Sequence, residues 1–256
     1  MIDAETIRLA ERLADAAGAA IRPYFRQKFD IETKGDLSPV TAADRASEAA
    51  MRAIIEAERP GDGIIGEEYG RVREEARHVW VLDPIDGTRA FVAGRPLFGT
   101  LVGLLDAGRP VLGIIDQPII GDRWLGVAGR PTLFNGEPAQ TRRCAAIADA
   151  RIGTTSPQAF SPETFTAFER LRTGARDTLY GGDCHNYGLL ASGHLDLVVE
   201  AGLQLYDFAA LVPVIEGAGG RMSDWQGRSL DRDSDGRVIA AGDAGLIDAV
   251  LGRLNA

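Results

Sequence analysis

Between residues 63 and 129 the chain contains five short runs rich in apolar and β-branched residues, each bounded by glycine or proline. The runs are G-I-I-G-E-E, V-W-V-L-D-P, F-G-T-L-V-G-L-L-D-A-G, R-P-V-L-G-I-I-D-Q-P and D-R-W-L-G-V-A-G. Runs of this length are typical of β-strands, and the glycines and prolines between them mark tight connections. The pattern therefore predicts a sheet whose strands are joined mainly by hairpins.

Helical patterns precede this strand-rich region. Apolar side chains recur at three- and four-residue steps from about Ala4 to Phe25, which predicts an amphipathic helix. A second helix is predicted from Thr41, whose hydroxyl can cap it, to Arg59. The first part of the chain should therefore place helices on a mostly antiparallel sheet.

Beyond about Thr141, strand and helix patterns alternate. The predicted elements are strands at 151–154 and 195–200 and helices at 162–172, 186–191 and 206–217. Such alternation is typical of a mixed α/β region. We therefore predict a layered α/β fold in two halves, residues 1–140 and residues 141–256.

The overall charge limits what the protein binds. With 28 basic and 37 acidic residues the formal net charge is −9, which disfavours non-specific binding of nucleic acid. The two cysteines, Cys144 and Cys184, lack metal-ligand spacing, as is typical of a reducing compartment. Residues 1–21 carry charges throughout, unlike a signal peptide or membrane span. We expect a cytoplasmic protein that binds neither nucleic acid nor membrane.

Four acidic residues lie where strands are predicted to end. They are Glu67 after G-I-I-G, Asp83 and Asp86 after V-W-V-L, and Asp207 after V-V-E-A-G-L-Q-L-Y. Taken singly, each could be a helix cap or a solvated turn. Brought together, they would repel one another unless a cation neutralised them. Since all-oxygen sites suit hard cations, the sequence predicts Mg²⁺ held by these carboxylates and the Ile85 carbonyl.

Several motifs resemble those of the inositol monophosphatase family, in its order and spacing across nearly the whole chain. They are K-G-D-L-S-P-V-T-A-A-D (Lys34 to Asp44), G-E-E (Gly66 to Glu68), W-V-L-D-P-I-D-G-T-R-A-F (Trp80 to Phe91), E-A-G-L-Q-L-Y-D-F-A-A (Glu200 to Ala210) and G-A-G-G (Gly217 to Gly220). The resemblance implies the αβαβα sandwich of inositol monophosphatase and fructose bisphosphatase. It also implies a homodimeric, metal-dependent phosphatase acting on a small phosphate monoester.

The resemblance assigns roles to individual residues. It implies as metal ligands Glu67, Asp83, Ile85 through its carbonyl, Asp86 and Asp207. These ligands would hold two or three Mg²⁺ ions, which clamp the entering and leaving oxygens of the phosphate. Glu67 and Thr88 would orient the attacking water, with Asp44 supporting the Thr88 hydroxyl.

An acidic protein still needs a site for the anionic phosphate. The backbone amides of Gly87 and Thr88 are expected to open a helical turn toward it, which needs no basic side chain. Asp86 and Asp207 are expected to contact the substrate as well as the metal. The phosphate-binding residues should therefore surround the D-P-I-D-G-T motif.

Two segments resemble the histidinol-phosphatase branch of the family, Thr88 to Leu105 and Tyr180 to Leu203. This resemblance implies L-histidinol phosphate as the substrate, whose organic end is cationic and suits acidic contacts. Asp183 and Glu200 are the candidates for binding that end, and Arg89 is a further substrate-binding candidate. The alternatives are a helix N-cap for Asp183, a hydroxyl-binding role for Glu200 and a surface ion pair for Arg89.

Two other functions are compatible with the sequence. An inositol-1-phosphate phosphatase of broad specificity would use the same metal ligands. A non-catalytic regulatory or binding member of the family would be expected to have lost some of them, whereas every expected ligand is present. The sequence therefore favours an enzyme and leaves the substrate to be tested.

Overall fold

A computed structural model describes the backbone of residues 2–27, 31–33 and 39–256 and the side chains of residues 2–27 and 42–256. Motif residues 34–38 and the predicted cap by the Thr41 hydroxyl therefore lie outside the described part. The helices are α1 (Ala4–Ile21), α2 (Ala42–Glu58), α3 (Thr88–Val92), α4 (Pro162–Arg172), α5 (His185–Ala191), α6 (Leu205–Phe208), α7 (Leu211–Gly217) and α8 (Ile247–Leu254). None of these described helices has the length and apolar character that a bilayer span requires.

The strands form two large sheets and one small one. They are β1 (Ile31–Thr33), β2 (Pro39–Thr41), β3 (Gly63–Gly66), β4 (Gly70–Val72), β5 (His78–Asp86), β6 (Gly99–Asp106), β7 (Arg109–Gln117), β8 (Asp122–Val127), β9 (Leu133–Phe134), β10 (Glu137–Pro138), β11 (Arg151–Thr154), β12 (Asp177–Tyr180), β13 (Leu197–Glu200), β14 (Arg221–Asp224) and β15 (Val238–Ala241). The eight-stranded sheet has the order β10-β9-β8-β7-β6-β5-β3-β4 and is antiparallel except between β3 and β5.

The five-stranded sheet has the order β12-β11-β13-β15-β14. Strand β11 runs parallel to both β12 and β13, whereas β15 runs antiparallel to β13 and β14. This sheet is therefore mixed. Strands β1 and β2 form a separate antiparallel pair.

Helices α1 and α2 cover one face of the eight-stranded sheet. Leu13 of α1 and Met51 of α2 are buried in one core with Trp80 of β5, Val102 of β6 and Ile114 of β7. The apolar residues of α1 recur at helical spacing, so one stripe of the helix faces the sheet while the charged side faces outward. This gives the first α and β layers.

Two more helical layers enclose the five-stranded sheet. Successive strand residues point to opposite faces, so Val198 of β13 packs on the middle helices α5 to α7. Its neighbours Leu197 and Val199 pack instead on Phe168 of α4 and Val250 of α8. The middle helices also contact the eight-stranded sheet. The layer order is αβαβα, which confirms the predicted fold class, while a domain division at residue 140 stays a prediction.

Two predicted helices differ from the observed ones, and proline accounts for both. Helix α1 ends at Ile21 and a 3₁₀ turn follows, because Pro23 has no N–H with which to continue the α-helical bonding. The helix predicted at 206–217 is broken between α6 and α7. Pro213 cannot donate to the carbonyl of Ala209, four residues earlier, and its ring displaces that carbonyl.

Candidate active site

The acidic residues predicted at strand ends surround one pocket of about 290 Å³. It lies where the ends of β3 and β5 and the start of α3 meet α6 and the segments after β11 and before α5. The described residues that line it are Glu67, Asp83, Ile85, Asp86, Gly87, Thr88, Arg89, Thr155, Ser156, Gln158, Ala159, Asp183 and Asp207. Asp44 and Glu200 are the predicted site residues that are not part of this lining.

A bulge in β5 brings Asp83 and Asp86 to the same pocket. Residues three apart on a regular strand point to opposite faces. Asp83 pairs with Leu101 and Asp86 pairs with Gly99, so β5 has one extra residue between these pairs. Pro84 lies in the bulge, where its missing N–H does not break the ladder. The extra residue turns both carboxylates toward one side.

Asp83, Asp86 and Asp207 form a compact group, because each has an oxygen within 4.8 Å of the others. Burial, followed by repulsion from Glu67, raises the pKa of Asp83 well above its usual value. Burial also raises the pKa of Asp86 and raises that of Asp207 to about 7. Among the described residues, no arginine is one of the largest causes of these shifts. Positive charge from another source would relieve the repulsion.

The donors of this group fit a hard cation. Asp83 Oδ1 is buried and has no hydrogen-bond partner among the described residues. Asp86 Oδ2 accepts from the Cys184 amide at 2.5 Å, and Asp207 Oδ2 accepts from the Gln204 amide at 2.6 Å. Backbone amides thus orient two of the three carboxylates. The oxygens left over match the ligand preference of Mg²⁺, Mn²⁺ and Ca²⁺.

Glu67, Asp44 and Thr88 lie around this group. The charge of Glu67 raises the pKa of Asp83, and buried Asp44 on α2 contributes a smaller rise, so both carboxylates are near Asp83. The Thr88 hydroxyl donates to the Ile85 carbonyl at 3.1 Å. Support of the Thr88 hydroxyl by Asp44 stays a prediction.

Gly87 connects the acidic group to α3. It has a φ of +89° and is the N-cap residue of α3, which begins at Thr88. A Cβ at this position would lie 2.6 Å from Asp183 Oδ2. Both the backbone angle and the close approach of Asp183 therefore require glycine. The role of the Gly87 and Thr88 amides in binding phosphate stays a prediction.

Asp183 forms part of the pocket wall just before α5. Burial raises its pKa to about 6, and the nearby exposed Arg89 opposes the rise. The N-cap residue of α5 is Cys184, whose side chain makes no capping hydrogen bond. The alternative reading of Asp183 as a helix N-cap is therefore wrong. Asp183 and Arg89 also line an adjoining pocket of about 240 Å³.

Glu200 lies behind the pocket. Its buried carboxylate accepts from the Thr155 amide at 2.6 Å and from the Thr154 hydroxyl at 3.2 Å. Burial raises its pKa to about 7, although these bonds oppose the rise. With Tyr187 it lines a small cavity of about 20 Å³. Glu200 thus holds the loop that follows β11, and its contact with substrate stays a prediction.

The loop after β11 is the part of the site that the sequence analysis missed. Thr155, Ser156, Gln158 and Ala159 all line the pocket. Only the position of this loop could have identified it. The loop follows the carboxyl end of β11, which runs parallel to both neighbouring strands. Binding residues commonly lie at such ends.

Comparisons with known proteins find one matching family and several similar sequences and structures. The model of the inositol monophosphatase family matches residues 3–254. The bifunctional phosphatase IMPL2, chloroplastic, of Arabidopsis thaliana is 52% identical over 248 residues, which cover 93% of this chain and 72% of that protein. The histidinol-phosphatase of Mycobacterium tuberculosis is 36% identical over 261 residues and 98% of each chain. A solved inositol monophosphatase from Zymomonas mobilis has a TM-score of 0.92 and 57% identity over 100% of both chains.

Proposed function

The chain belongs to the inositol monophosphatase family, and on this premise we propose that it is a Mg²⁺-dependent phosphatase that hydrolyses L-histidinol phosphate. The observation that carries the reaction type is the compact group of Asp83, Asp86 and Asp207. These buried acids repel one another, and their oxygens suit a divalent cation. A phosphate monoester is a substrate on which such a cation can act.

The proposed ligands are Glu67, Asp83, the Ile85 carbonyl, Asp86 and Asp207, for two or three ions. When bound, the ions supply Lewis-acid stabilisation of the entering and leaving oxygens. The pKa of Asp83 is raised by Glu67 and also by Asp86 and Asp207. Asp83 is thus close to the other carboxylates of the proposed ligand set.

The chain's own groups would position the reactants. Glu67 and Thr88 both line the pocket, where they would orient the attacking water and Glu67 would accept its proton. The amides of Gly87 and Thr88 would bind phosphate oxygens, since the glycine lets the backbone approach closely. Neutral N–H donors would thus bind the anion within an acidic pocket.

Asp183 supports L-histidinol phosphate as the substrate. Its carboxylate lies on the pocket wall, and with a pKa of about 6 it is mostly ionised at neutral pH. An ionised carboxylate at this place suits the cationic end of histidinol. Glu200, behind it, would add partial negative charge, since its pKa is raised to about 7. The 36% identical relative that is named a histidinol-phosphatase supports the same choice.

Inositol 1-phosphate is the second candidate substrate. The structure from Zymomonas mobilis, 57% identical over the whole chain, is described as an inositol monophosphatase. Asp183 could also accept hydrogen bonds from the hydroxyls of an inositol ring. The metal centre is common to both proposals, so they differ only in the organic half of the substrate.

Turnover of both substrates by the purified protein tests the proposal. With Mg²⁺ we expect kcat/KM for L-histidinol phosphate to exceed that for inositol 1-phosphate at least about tenfold, or about 1.4 kcal/mol. EDTA should abolish both activities. A kcat/KM for inositol 1-phosphate about tenfold above that for L-histidinol phosphate would contradict the proposed substrate. Hydrolysis that persists in EDTA would contradict the metal dependence.

The variant Asp183→Asn provides a matched control for specificity. It keeps the size of the side chain and removes the charge, so it should weaken the reaction of the cationic substrate more than that of the neutral inositol ring. Equal losses for both substrates would show that Asp183 does not select the cation.

We further propose that the chain acts in the cytoplasm as a homodimer. The dimer follows from the family resemblance. Light scattering during gel filtration would measure it, and a molar mass equal to that of a single chain would contradict it.

A further inference from the structure

One face of α2 lies against the segment that follows Glu67. Arg45, Glu48 and Arg52 are spaced by three and four residues, so they share one side of this helix. The Arg45 guanidinium lies 3.9 Å from the carboxylate of Glu68. Helix α2 therefore contacts the chain immediately beyond a residue that lines the acidic pocket.

Glu48 makes the closest contacts of this face. Its side chain is fully buried, and its two oxygens accept from the Glu68 amide at 2.7 Å, the Tyr69 amide at 3.1 Å and Arg52 Nε at 2.7 Å. A buried carboxylate is tolerated when its oxygens are satisfied in this way. Two of the three donors are the backbone amides that directly follow Glu67.

The backbone on either side of Glu67 is held as well. A Cβ on Gly66 would overlap the Glu48 carboxylate, so the end of β3 packs directly on this group. The Glu67 amide donates to the Leu82 carbonyl at 3.2 Å, one residue before Asp83 on β5. The backbone at Glu67 is thus fixed between β5 and the Glu48 carboxylate, which limits where the Glu67 side chain can point.

We infer that Glu48 is a positioning residue for the reaction, because its carboxylate fixes the backbone at residues 66–69 and thereby directs Glu67 into the pocket. The inference rests on the proposed function, in which Glu67 binds a metal ion and orients water. Residues that orient metal ligands typically contribute about 10- to 100-fold to metal affinity or activity. Glu48 never touches substrate or metal in this account.

Asp224 provides a matched control at a distance from the pocket. This buried carboxylate accepts from the Gln226 and Arg228 amides, both at 2.8 Å, and from Arg228 Nε at 2.6 Å. Its chemistry is that of Glu48, with two backbone amides and an arginine four residues away. None of the described residues that line the acidic pocket comes from this turn.

The experiment compares Glu48→Gln with Asp224→Asn in the full-length protein. An amide of the same size places an NH₂ group against either the Glu68 amide or the Arg52 guanidinium, so at least one bond is lost in either orientation. Mn²⁺ serves as the probe, because it accepts the same oxygen ligands as Mg²⁺. Its binding is followed by electron paramagnetic resonance without substrate, alongside Tm and the Mg²⁺ dependence of kcat.

Glu48→Gln should weaken Mn²⁺ binding about 10- to 100-fold and raise the Mg²⁺ concentration needed for half-maximal kcat by a similar factor. Asp224→Asn should lower Tm but bind Mn²⁺ within about twofold of the wild type, because its turn contacts no ligand. The inference would be overturned if Glu48→Gln lowered Tm without weakening Mn²⁺ binding. It would also be overturned if Asp224→Asn weakened Mn²⁺ binding as much as Glu48→Gln does.

A second variant covers the case in which Glu48→Gln does not fold. Arg52→Gln removes one of the three donors to Glu48 and leaves the amides, so we expect Mn²⁺ affinity to fall about threefold or more. Unchanged affinity in a folded Arg52→Gln protein would then overturn the inference. A wild type that binds no Mn²⁺ would overturn the proposed function itself, which separates the two failures.

Discussion

Two regions of the molecule bury carboxylates and give them opposite surroundings. Asp196, just before β13, accepts from the Arg142 guanidinium at 2.7 and 2.6 Å and from the Arg151 amide at 2.7 Å. Burial favours a higher pKa for Asp196, but these bonds outweigh it and lower the pKa. Asp83 in the acidic pocket is equally buried, and there both burial and the neighbouring acids raise the pKa.

The difference shows that, at the same solvent exposure, the partners of a carboxylate distinguish a structural group from a site group. Asp196 is satisfied within the chain, so it ties the segment at Arg142 to the five-stranded sheet. Asp83 faces other acids, so its stable ionised form needs a charge from outside the chain. Glu48 and Asp224 are structural carboxylates of the same kind as Asp196. Each of these two accepts hydrogen bonds from an arginine and from two backbone amides.

The largest effect is expected from Asp83→Asn. Loss of residues that only orient the metal ligands lowers activity by up to about 100-fold. Removing a direct ligand should lower kcat by more than that. The metal-free variant should nevertheless unfold at the same or a higher Tm than the wild type, because one of several repelling acids is neutral. Kinetics and calorimetry in EDTA measure both. If Asp83→Asn instead lowered Tm and kept full activity, Asp83 would behave as a structural carboxylate like Asp196.

A pH series on Glu200 extends this contrast, because Glu200 ends β13 and Asp196 directly precedes it. The pKa of Glu200 is raised from 4.5 to about 7, so the native state binds more protons between these values and stability falls as pH rises. The lowered pKa of Asp196 has the opposite sign. Its contribution is present above its ordinary value of 3.8 and is lost as pH falls below it.

We therefore expect the free energy of unfolding in EDTA to fall between pH 5 and pH 8. The Glu200 part is on the order of 3 kcal/mol, from the shift between its two pKa values. Glu200→Gln should lose less stability than the wild type over this range, since it cannot titrate. Urea titrations at the two pH values measure the difference, and parallel losses in both proteins would contradict it.

The smallest effect is expected from Asp196→Asn. The substitution leaves the partly exposed Arg142 without its ionised partner, so the free energy of unfolding should fall by about 1–2 kcal/mol. Turnover at 25 °C should stay within about twofold of the wild type, because the pair does not touch the pocket. Lost turnover in a protein of normal stability would show that the two regions are coupled.

The sequence was sufficient for the fold class and for the central acids. The structure brings Asp207 beside Asp83 and Asp86 as expected, but Asp207 lies on α6, after a strand of the five-stranded sheet, and not at a strand end of the sheet that carries the other two. Pro213 also indicated the broken helix, but the apolar pattern runs across the break. The helix breaks because this proline cannot donate a hydrogen bond to the carbonyl four residues earlier.

The supporting residues could not be read from the sequence. Glu48 looks like any acid on an amphipathic helix, and its burial appears only when the turn after β3 packs against α2. Thr155 and Ser156 carry no distinctive chemistry and enter the site because of where β11 ends. Both depend on contacts between segments that are distant along the chain, whereas the D-P-I-D-G-T motif is local.

Anomalous diffraction from crystals soaked in Mn²⁺ would locate bound ions without reference to activity. We predict Mn²⁺ peaks in contact with carboxylate oxygens of Asp83, Asp86 and Asp207, and no Mn²⁺ at Asp196 or Asp224. Peaks absent from the acidic pocket of a protein that is active with Mn²⁺ would contradict the account.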